Sequence, residues 1–166
     1  MKQSPFRVEL LAARHDRLDF RSGVDRLDAY FQNQVTQDVR RRVTACFVAL
    51  DGDGRVACFY TLASASLLLS ELPTQIVKKL PRYPSVPVVR MGRLAVAAQY
   101  QGQGLGGAML ADALARAARA EVAAFALLVD AKDEAAACFY RHHGFIALPS
   151  EPLALFLPLS TVAGMS

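Results

Sequence analysis

The feature that most constrains this chain is a glycine-rich segment between two runs of different periodicity. The segment, Gln101 to Gly107, follows the strand-like run Met91 to Val96 and opens onto Ala108 to Ala120, an alanine-rich amphipathic stretch. Glycines let a backbone approach an anion closely, and the first amides of a helix point unpaired N–H groups at the same place. The order strand, glycine loop and helix therefore predicts a phosphate-binding loop.

Spacing separates three ligands for such a loop. An ATP-type loop needs Lys followed by Ser or Thr after its last glycine, and neither follows here. The dinucleotide pattern G-x-G-x-x-G is met by Gly102, Gly104 and Gly107, but that pattern belongs at the end of the first strand of a larger domain. The third pattern in the loop is Gln101-x-x-Gly104-x-Gly106. It resembles the loop with which GNAT-family acetyltransferases hold the pyrophosphate of coenzyme A.

The residues downstream of the loop extend this resemblance. The short apolar run Ala124 to Val129 is typical of a buried strand. Asp133 can cap a following helix that Gly144 ends, and Tyr140 lies four residues before the Gly-Phe pair. The order strand, loop, helix, strand, helix and Gly-Phe is similar to the coenzyme A half of a GNAT fold. The resemblance covers about residues 88–158 of this sequence.

The upstream half predicts an antiparallel sheet with helices. We expect strands at Phe6 to Leu10, Ala45 to Leu50 and Arg55 to Ser66, a turn at Asp51 to Gly54, helices from Asp25, at Thr36 to Arg42 and at Leu72 to Leu80, and a loop at Pro81 to Pro87. The strands would feed a parallel strand after the glycine-loop helix. Together with this pattern, the resemblance implies the fold class α/β (α+β), a GNAT fold with a mixed central sheet of about six to seven strands flanked by helices.

Length and composition favour one domain over residues 1–166. No apolar run reaches the length of a membrane span and the N-terminus lacks a signal core, so we expect a cytoplasmic protein without a membrane partner. Cys46, Cys58 and Cys138 lie in apolar contexts without C-x-x-C spacing, which favours reduced, buried thiols. The three histidines are too badly spaced for a metal site, so no metal is expected.

Charge is unevenly distributed along the chain. Residues 1–100 hold 15 Lys and Arg against 9 Asp and Glu, a net charge of +6, whereas residues 101–166 hold 4 against 6, a net of −2. The basic residues form local clusters that could bind a phosphate backbone or face solvent. These clusters are Arg40, Arg41 and Arg42; Lys78, Lys79 and Arg82; and Arg90 with Arg93. Coenzyme A, itself a polyanion, could employ one or two of these cations, so three clusters exceed what it needs.

Acetyl transfer from a thioester needs a neutral nucleophile, stabilisation of the oxyanion and a proton for the departing thiolate. The sequence offers no obvious general base; Glu71, Asp130 and His142 are possible but have plainer roles. A lysine with a pKa near 10.4 is almost wholly protonated at about pH 7.5, whereas an α-amine near 7.8 is substantially neutral, a difference of roughly 3.5 kcal/mol. An α-amine is therefore the easier acceptor.

A narrower resemblance spans nearly the whole chain. It is carried by Leu27-Asp28-x-Tyr30-Phe31, Asp38 to Arg42, Phe59 to Leu62, Lys78 to Pro84, Gly92 to Val96 and Leu155 to Leu159. These segments resemble the TacT-type acetyltransferase toxins of type II toxin-antitoxin modules. One departure is Phe20-Arg21-Ser22-Gly23, where a Cys-Gly or similar small pair is expected, which leaves a local turn in doubt.

The resemblance implies a function and a site. Such toxins transfer acetyl from acetyl-CoA to the amino group of aminoacyl-tRNA, which blocks translation; they are usually homodimers neutralised by a ribbon-helix-helix antitoxin. It implies Tyr140 as the acid that protonates the coenzyme A sulfur, and backbone groups of Leu94, Ala95 and Val96 along the pantetheine. The predicted pyrophosphate-binding residues are Gln101, Gly102, Gln103, Gly104, Leu105, Gly106 and Gly107.

Two alternatives stay open at the level of sequence. The first is a GNAT acetyltransferase for a small amine or a protein N-terminus. The second is a coenzyme A-binding regulatory protein without turnover, in which the basic clusters serve a partner complex.

Overall fold

Residues 6–163 are described by the structure, a computed structural model, and form seven strands and six helices. The strands are β1 (Arg7–Leu10), β2 (Ala45–Leu50), β3 (Val56–Leu68), β4 (Ser85–Val96), β5 (Ala126–Asp130), β6 (Ile146–Leu148) and β7 (Glu151–Pro158). The helices are α1 (Asp25–Asn33), α2 (Val35–Arg40), α3 (Thr74–Val77), α4 (Leu105–Arg119), α5 (Glu134–His142) and α6 (Leu159–Ala163). Short 3₁₀ turns cover Leu69–Glu71 and Ala98–Tyr100.

The strands form one mixed sheet in the order β1-β2-β3-β4-β5-β7-β6. β2 is antiparallel to both β1 and β3. β4 and β5 are parallel, with Val88–Met91 facing Ala126–Val129, and a parallel pair needs a crossover, which α4 provides. β7 lies between β5 and β6 and is antiparallel to each. The predicted antiparallel sheet that feeds a parallel strand is confirmed.

Backbone contacts divide the chain into two compact units. The first holds the residues up to 63 together with residues 92–111, and the second holds residues 64–91 and those from 112 onward. β3 and β4 each contribute to both units. The glycine loop and α1 belong to the first unit, whereas Tyr140 belongs to the second. A single domain over residues 1–166 stays a prediction.

The core of the first unit forms around three phenylalanine rings. Phe31 of α1 stacks on Phe59 of β3 with ring centroids 4.2 Å apart, and Phe20 packs edge-on against them at 5.0 and 5.5 Å. α1 has no side-chain N-cap. A helix of this length is marginal by itself, so the packing of its buried residues, Tyr30 and Phe31 among them, stabilises it.

The core of the second unit is built on two adjacent strands. Residues 126–129 of β5 are all buried, as a continuous apolar run covered on both faces should be. On β7, residues 154–156 are buried beside them, and Phe156 packs against Phe125 with ring centroids 6.4 Å apart. Asp133 caps α5 by accepting a hydrogen bond from the Ala136 N–H at 2.8 Å, as predicted.

Several boundaries differ from the sequence prediction; α3, for example, covers only Thr74–Val77 of the predicted Leu72 to Leu80 helix. Two of the differences have a physical reason. α4 begins at Leu105, before the predicted Ala108, because the last two glycines of the loop continue into the helix. β4 begins at Ser85, inside the predicted Pro81 to Pro87 loop. Val86 and Val88 are buried on alternate positions there, so the period-two packing of a strand overrides the proline signal.

The cysteine prediction holds at two positions and is wrong at the third. Cys46 and Cys58 are buried free thiols, and burial raises the pKa of Cys46 to about 12, so it stays protonated. Cys138 is also free but exposed. Helical periodicity turns Cys138 away from the buried Ala137, so it lies on the outer face of α5. There Arg141 Nη2 donates to its sulfur at 3.1 Å.

Candidate active site

The glycine loop consists of a turn over residues 101–104 followed by the first turn of α4. Gly102 and Gly104 have φ angles of +79° and +83°, which L residues rarely adopt. A Cβ at either position would meet no heavy atom within 4 Å, so the space beside the backbone is open. α4 has 15 residues, and its N-terminal amides lack acceptors within the helix. This cradle fits a diphosphate such as that of coenzyme A.

The side chain of Gln101 fastens the loop to its surroundings. Its amide Nε2 donates to the Val96 carbonyl at 2.9 Å and to the Ser22 carbonyl at 2.7 Å. The Ala98 N–H also donates to the Arg21 carbonyl at 2.8 Å. Gln101, predicted to bind the pyrophosphate, therefore uses its side-chain amide to position the loop.

A buried carboxylate holds the segment to which Gln101 is bound. Asp28 of α1, 5% exposed, accepts hydrogen bonds from the Ser22 N–H at 3.0 Å and from its hydroxyl at 2.6 Å. Gly23 follows with a φ of +94°. The turn left in doubt by the sequence departure is thus formed by Ser22 and Asp28.

A second contact supports the approach to the loop. The Tyr100 hydroxyl donates to Asp51 in the β2–β3 hairpin. That bond lowers the pKa of the Asp51 carboxyl and raises the pKa of the Tyr100 hydroxyl. Sequence reasoning missed Ser22, Asp28, Asp51 and Tyr100; the available signal was an acidic residue on the apolar face of α1.

The end of β4 carries the predicted pantetheine-binding residues. Ala95 is buried, whereas Leu94 and Val96 are half-buried. The Val96 carbonyl accepts from Gln101, and the next amide, that of Ala97, donates to the Ala57 carbonyl at 2.8 Å. The end of β4 is therefore bonded both to the glycine loop, through Gln101, and to β3, through Ala57.

Tyr140 lies on α5 in the second unit and is 6% exposed. Its ring packs between Phe139 and Phe145, with centroids 5.2 and 5.6 Å away. Its carbonyl accepts from the Phe145 N–H at 3.2 Å, beside Gly144, whose φ is +92°. The ring is therefore held by packing and the helix ends where the sequence predicts.

Most of the predicted basic residues are exposed. No ion pair or side-chain hydrogen bond involves six of them within residues 6–163. These are Arg40, Arg41, Arg42, Lys78, Lys79 and Arg82. The first three lie at and just beyond the C-terminal end of α2 and the others follow α3, in different units. Their charges are free to bind a polyanion.

The other two predicted cations have partners. Arg90 of β4 forms an ion pair with Asp130 of β5, with Nε 2.6 Å from Oδ2. Arg93 lies over the Tyr30 ring, with Cζ 3.5 Å from the ring centroid. Asp130 neutralises part of the Arg90 charge, so Arg90 is expected to contribute less to polyanion binding.

The three possible general bases have other contacts or lie on the surface. Asp130 is paired with Arg90. Glu71 accepts from the Leu68 N–H at 3.0 Å. His142 is exposed and packs edge-on against His143 at 5.4 Å. These contacts agree with the plainer roles given to them by the sequence.

Comparison with known proteins identifies the family. The family model described as "Acetyltransferase (GNAT) domain" matches residues 42–147, more than half of the chain. The chain belongs to the GNAT acetyltransferase family. The predicted fold class and enzyme class are confirmed, and this GNAT protein is an acetyl-CoA-dependent N-acetyltransferase. The match includes the glycine loop and Tyr140.

One relative indicates which members of the family this chain resembles. The tRNA-acetylating toxin of Mycobacterium tuberculosis is 37% identical to this GNAT protein over 144 residues, which cover 86% of the chain and 85% of the relative. The resemblance to TacT-type acetyltransferase toxins is confirmed.

Solved structures of similar fold are also those of acetyltransferase toxins. AtaT complexed with acetyl-methionyl-tRNAfMet has a TM-score of 0.90 at 28% identity, covering 96% of this chain and 98% of that one. AtaTR bound with AcCoA has a TM-score of 0.84 at 28% identity, covering 97% and 98%. The GNAT fold of this chain is thus that of acetyltransferase toxins.

Two further findings concern the residues that the structure describes. Across residues 6–163 no helix is long and apolar enough to cross a membrane. The same part of the chain brings together no group of three potential His, Cys, Asp or Glu metal ligands.

The glycine loop provides a direct test of acetyl-CoA binding. We expect Gly104→Ala to raise the Kd for acetyl-CoA about tenfold, because an alanine at a φ of +83° costs about 1–2 kcal/mol and would displace the cradle. Isothermal titration calorimetry checks the Kd. Gly52→Ala is the control, since Gly52 also has open space but no positive φ. An unchanged Kd for Gly104→Ala would refute the role of the loop.

Proposed function

We propose that this protein is a toxin that transfers acetyl from acetyl-CoA to the α-amino group of aminoacyl-tRNA and so blocks translation. The observation that carries the proposal is the 37% identity to a tRNA-acetylating toxin over 86% of the chain. The solved complex of AtaT with acetyl-methionyl-tRNAfMet supports the same acceptor.

The donor side of the site follows from the first unit. The glycine loop, residues 101–107, would hold the pyrophosphate of acetyl-CoA, with Gln101 positioning the loop through Ser22 and Val96. Backbone groups of Leu94 to Val96 would pair with the pantetheine, and an N–H among them would polarise the acetyl carbonyl. The relative bound with AcCoA supports this co-substrate.

Tyr140 would act as the general acid. The α-amine attacks the acetyl carbonyl carbon, so that an N–C bond forms while the C–S bond breaks. The Tyr140 hydroxyl gives its proton to the departing sulfur, and the proton lost by the nitrogen restores the hydroxyl. An α-amine that is substantially neutral at physiological pH needs no strong base, in agreement with the contacts of Glu71, Asp130 and His142.

The acceptor would be held by the basic residues. Arg40, Arg41 and Arg42 in the first unit and Lys78, Lys79 and Arg82 in the second are exposed and without acidic partners in the described chain. Arg93, near the end of β4, would bind the acceptor closest to the site of acetyl transfer. Such contacts to phosphates make binding salt-dependent.

The proposal includes partners and a location. The solved AtaT–AtaR complex bound to DNA supports an antitoxin partner for this chain as well. A ribbon-helix-helix antitoxin, a homodimer and a cytoplasmic location complete the proposal, and each rests on the resemblance to TacT-type toxins.

Incubating the purified protein with labelled acetyl-CoA and a pool of charged tRNAs tests the function. We expect label on the aminoacyl ends, with KM for charged tRNA rising steeply with salt. If the label instead appears on a small amine or a protein N-terminus, at a rate that does not depend on salt, the protein is an acetyltransferase with a different acceptor. Acetyl-CoA binding without transfer to any amine would indicate a regulatory protein instead.

A further inference from the structure

Arg93 is half-buried yet has no acidic partner. Its guanidinium Cζ lies 3.5 Å from the Tyr30 ring centroid, and its backbone N–H donates to Thr61 Oγ1 at 3.2 Å. In the part of the chain that the structure describes, its side chain forms no ion pair and no hydrogen bond. A guanidinium stacked on one face still presents its edge donors, which match the planar, bidentate geometry of a phosphate.

The Tyr30 ring is itself fixed. Its side chain is buried, and its hydroxyl donates to Asp38 Oδ2 at 2.8 Å, which links α1 to α2. Burial and this hydrogen bond raise the pKa of the Tyr30 hydroxyl, so it stays a donor. The hydroxyl therefore fixes the ring, and the ring orients the guanidinium of Arg93 that lies over it.

We propose that Tyr30 and Asp38 position Arg93 so that its guanidinium binds a phosphate group of the aminoacyl-tRNA acceptor. This inference rests on the proposed function. Tyr30 and Asp38 are positioning residues, since they act through Arg93.

Phosphate could come from either substrate, and two observations favour the acceptor. The pyrophosphate of acetyl-CoA already has a cradle in the glycine loop. After Asp38 and Val39, the end of α2 and the residues beyond it are Arg40, Arg41 and Arg42, exposed cations in the same unit as Arg93. The Tyr30–Asp38 pair thus lies next to the cationic segment formed by Arg40, Arg41 and Arg42. Such a segment suits tRNA, a longer polyanion than coenzyme A.

The test compares KM and kcat for aminoacyl-tRNA with the Kd for acetyl-CoA. We expect Arg93→Gln to raise KM for aminoacyl-tRNA about 10- to 100-fold with kcat within about twofold, because a charged hydrogen-bonded pair is lost. The slope of log KM against log salt should fall by about 0.7–0.9, the value for one phosphate. Arg26→Gln, an exposed arginine on α1, is the control and should leave both quantities unchanged.

A double-mutant cycle isolates the positioning role. Tyr30→Phe keeps the ring but removes the hydrogen bond that fixes it to Asp38, so we expect KM for aminoacyl-tRNA to rise about fivefold. Asp38→Ala removes the same hydrogen bond and should raise KM by a similar factor. Combined with Arg93→Gln, Tyr30→Phe should add less than twofold, because residues acting through one another are not additive. Additive effects, or loss of thermal stability without a change in KM, would overturn the positioning role.

The remaining outcomes separate this inference from the proposed function. If the wild-type protein acetylates aminoacyl-tRNA and Arg93→Gln retains its KM, the inference alone fails. If Arg93→Gln instead raises the Kd for acetyl-CoA, the phosphate belongs to the donor and the acceptor assignment fails. If the wild-type protein acetylates no aminoacyl-tRNA, the proposed function fails. The phosphate site fails as well if the wild-type and Arg93→Gln proteins then bind charged tRNA with the same Kd.

Discussion

Replacing Tyr140 with phenylalanine is expected to lower kcat for acetyl transfer about 10²- to 10⁴-fold, the usual contribution of a positioned general acid. The substitution removes one hydroxyl and keeps the ring that packs between Phe139 and Phe145. The fold and the Kd for acetyl-CoA should therefore persist. Single-turnover transfer to aminoacyl-tRNA, with thermal unfolding of the same preparation, measures both.

The control for Tyr140→Phe is Tyr83→Phe, the same chemical change at a tyrosine that is 65% exposed. It should leave kcat unchanged. In cells, Tyr140→Phe should abolish growth arrest, whereas Tyr83→Phe should not. Full growth arrest by a stably folded Tyr140→Phe protein would remove Tyr140 from the mechanism.

Removing the three charges of Arg40, Arg41 and Arg42 is expected to have the second largest effect. The triple change to glutamine should raise KM for aminoacyl-tRNA about 10- to 100-fold near 0.1 M salt and reduce the log–log salt slope by about 2. The Kd for acetyl-CoA should not change, because the glycine loop holds the donor. Steady-state kinetics over a series of salt concentrations measure the slope.

A matched variant separates local binding from net charge. Changing Arg26, Arg55 and Arg119 to glutamine removes the same three charges from scattered exposed positions. It should alter the salt slope by less than about 0.5. Changing Lys78, Lys79 and Arg82 to glutamine tests the second cluster in the same way. Equal slopes for the Arg40–Arg42 variant and its matched control would show that only overall charge matters.

The sequence predicts an element well where the local pattern and the neighbouring segments agree. The glycine loop, the buried strand β5 and the Asp133 cap each combine local chemistry with a matching neighbour, and the structure confirms the elements they predict. Boundaries were less predictable, as at Ser85, because tertiary packing of Val86 and Val88 decides them.

The supporting contacts of the site could not be predicted from sequence. Gln101 bonds to the Ser22 carbonyl across 79 positions of sequence, and Tyr100 reaches Asp51 across 49. Neither pair has a linear signature, because the fold alone brings these residues together. Cys138 shows the converse error: its apolar neighbours suggested burial, but the helical turn exposes it.

Helix α1 has a consequence for how the two substrates depend on each other. Asp28 on this helix holds Ser22 and through it Gln101 of the glycine loop, while Tyr30, two residues later, carries Arg93. The helix has no side-chain cap and depends on its packing. Local opening of α1 would therefore release the supports for donor and acceptor in one event. Each substrate that orders this helix lowers the cost of ordering it for the other, so we expect acetyl-CoA and aminoacyl-tRNA to bind with positive cooperativity.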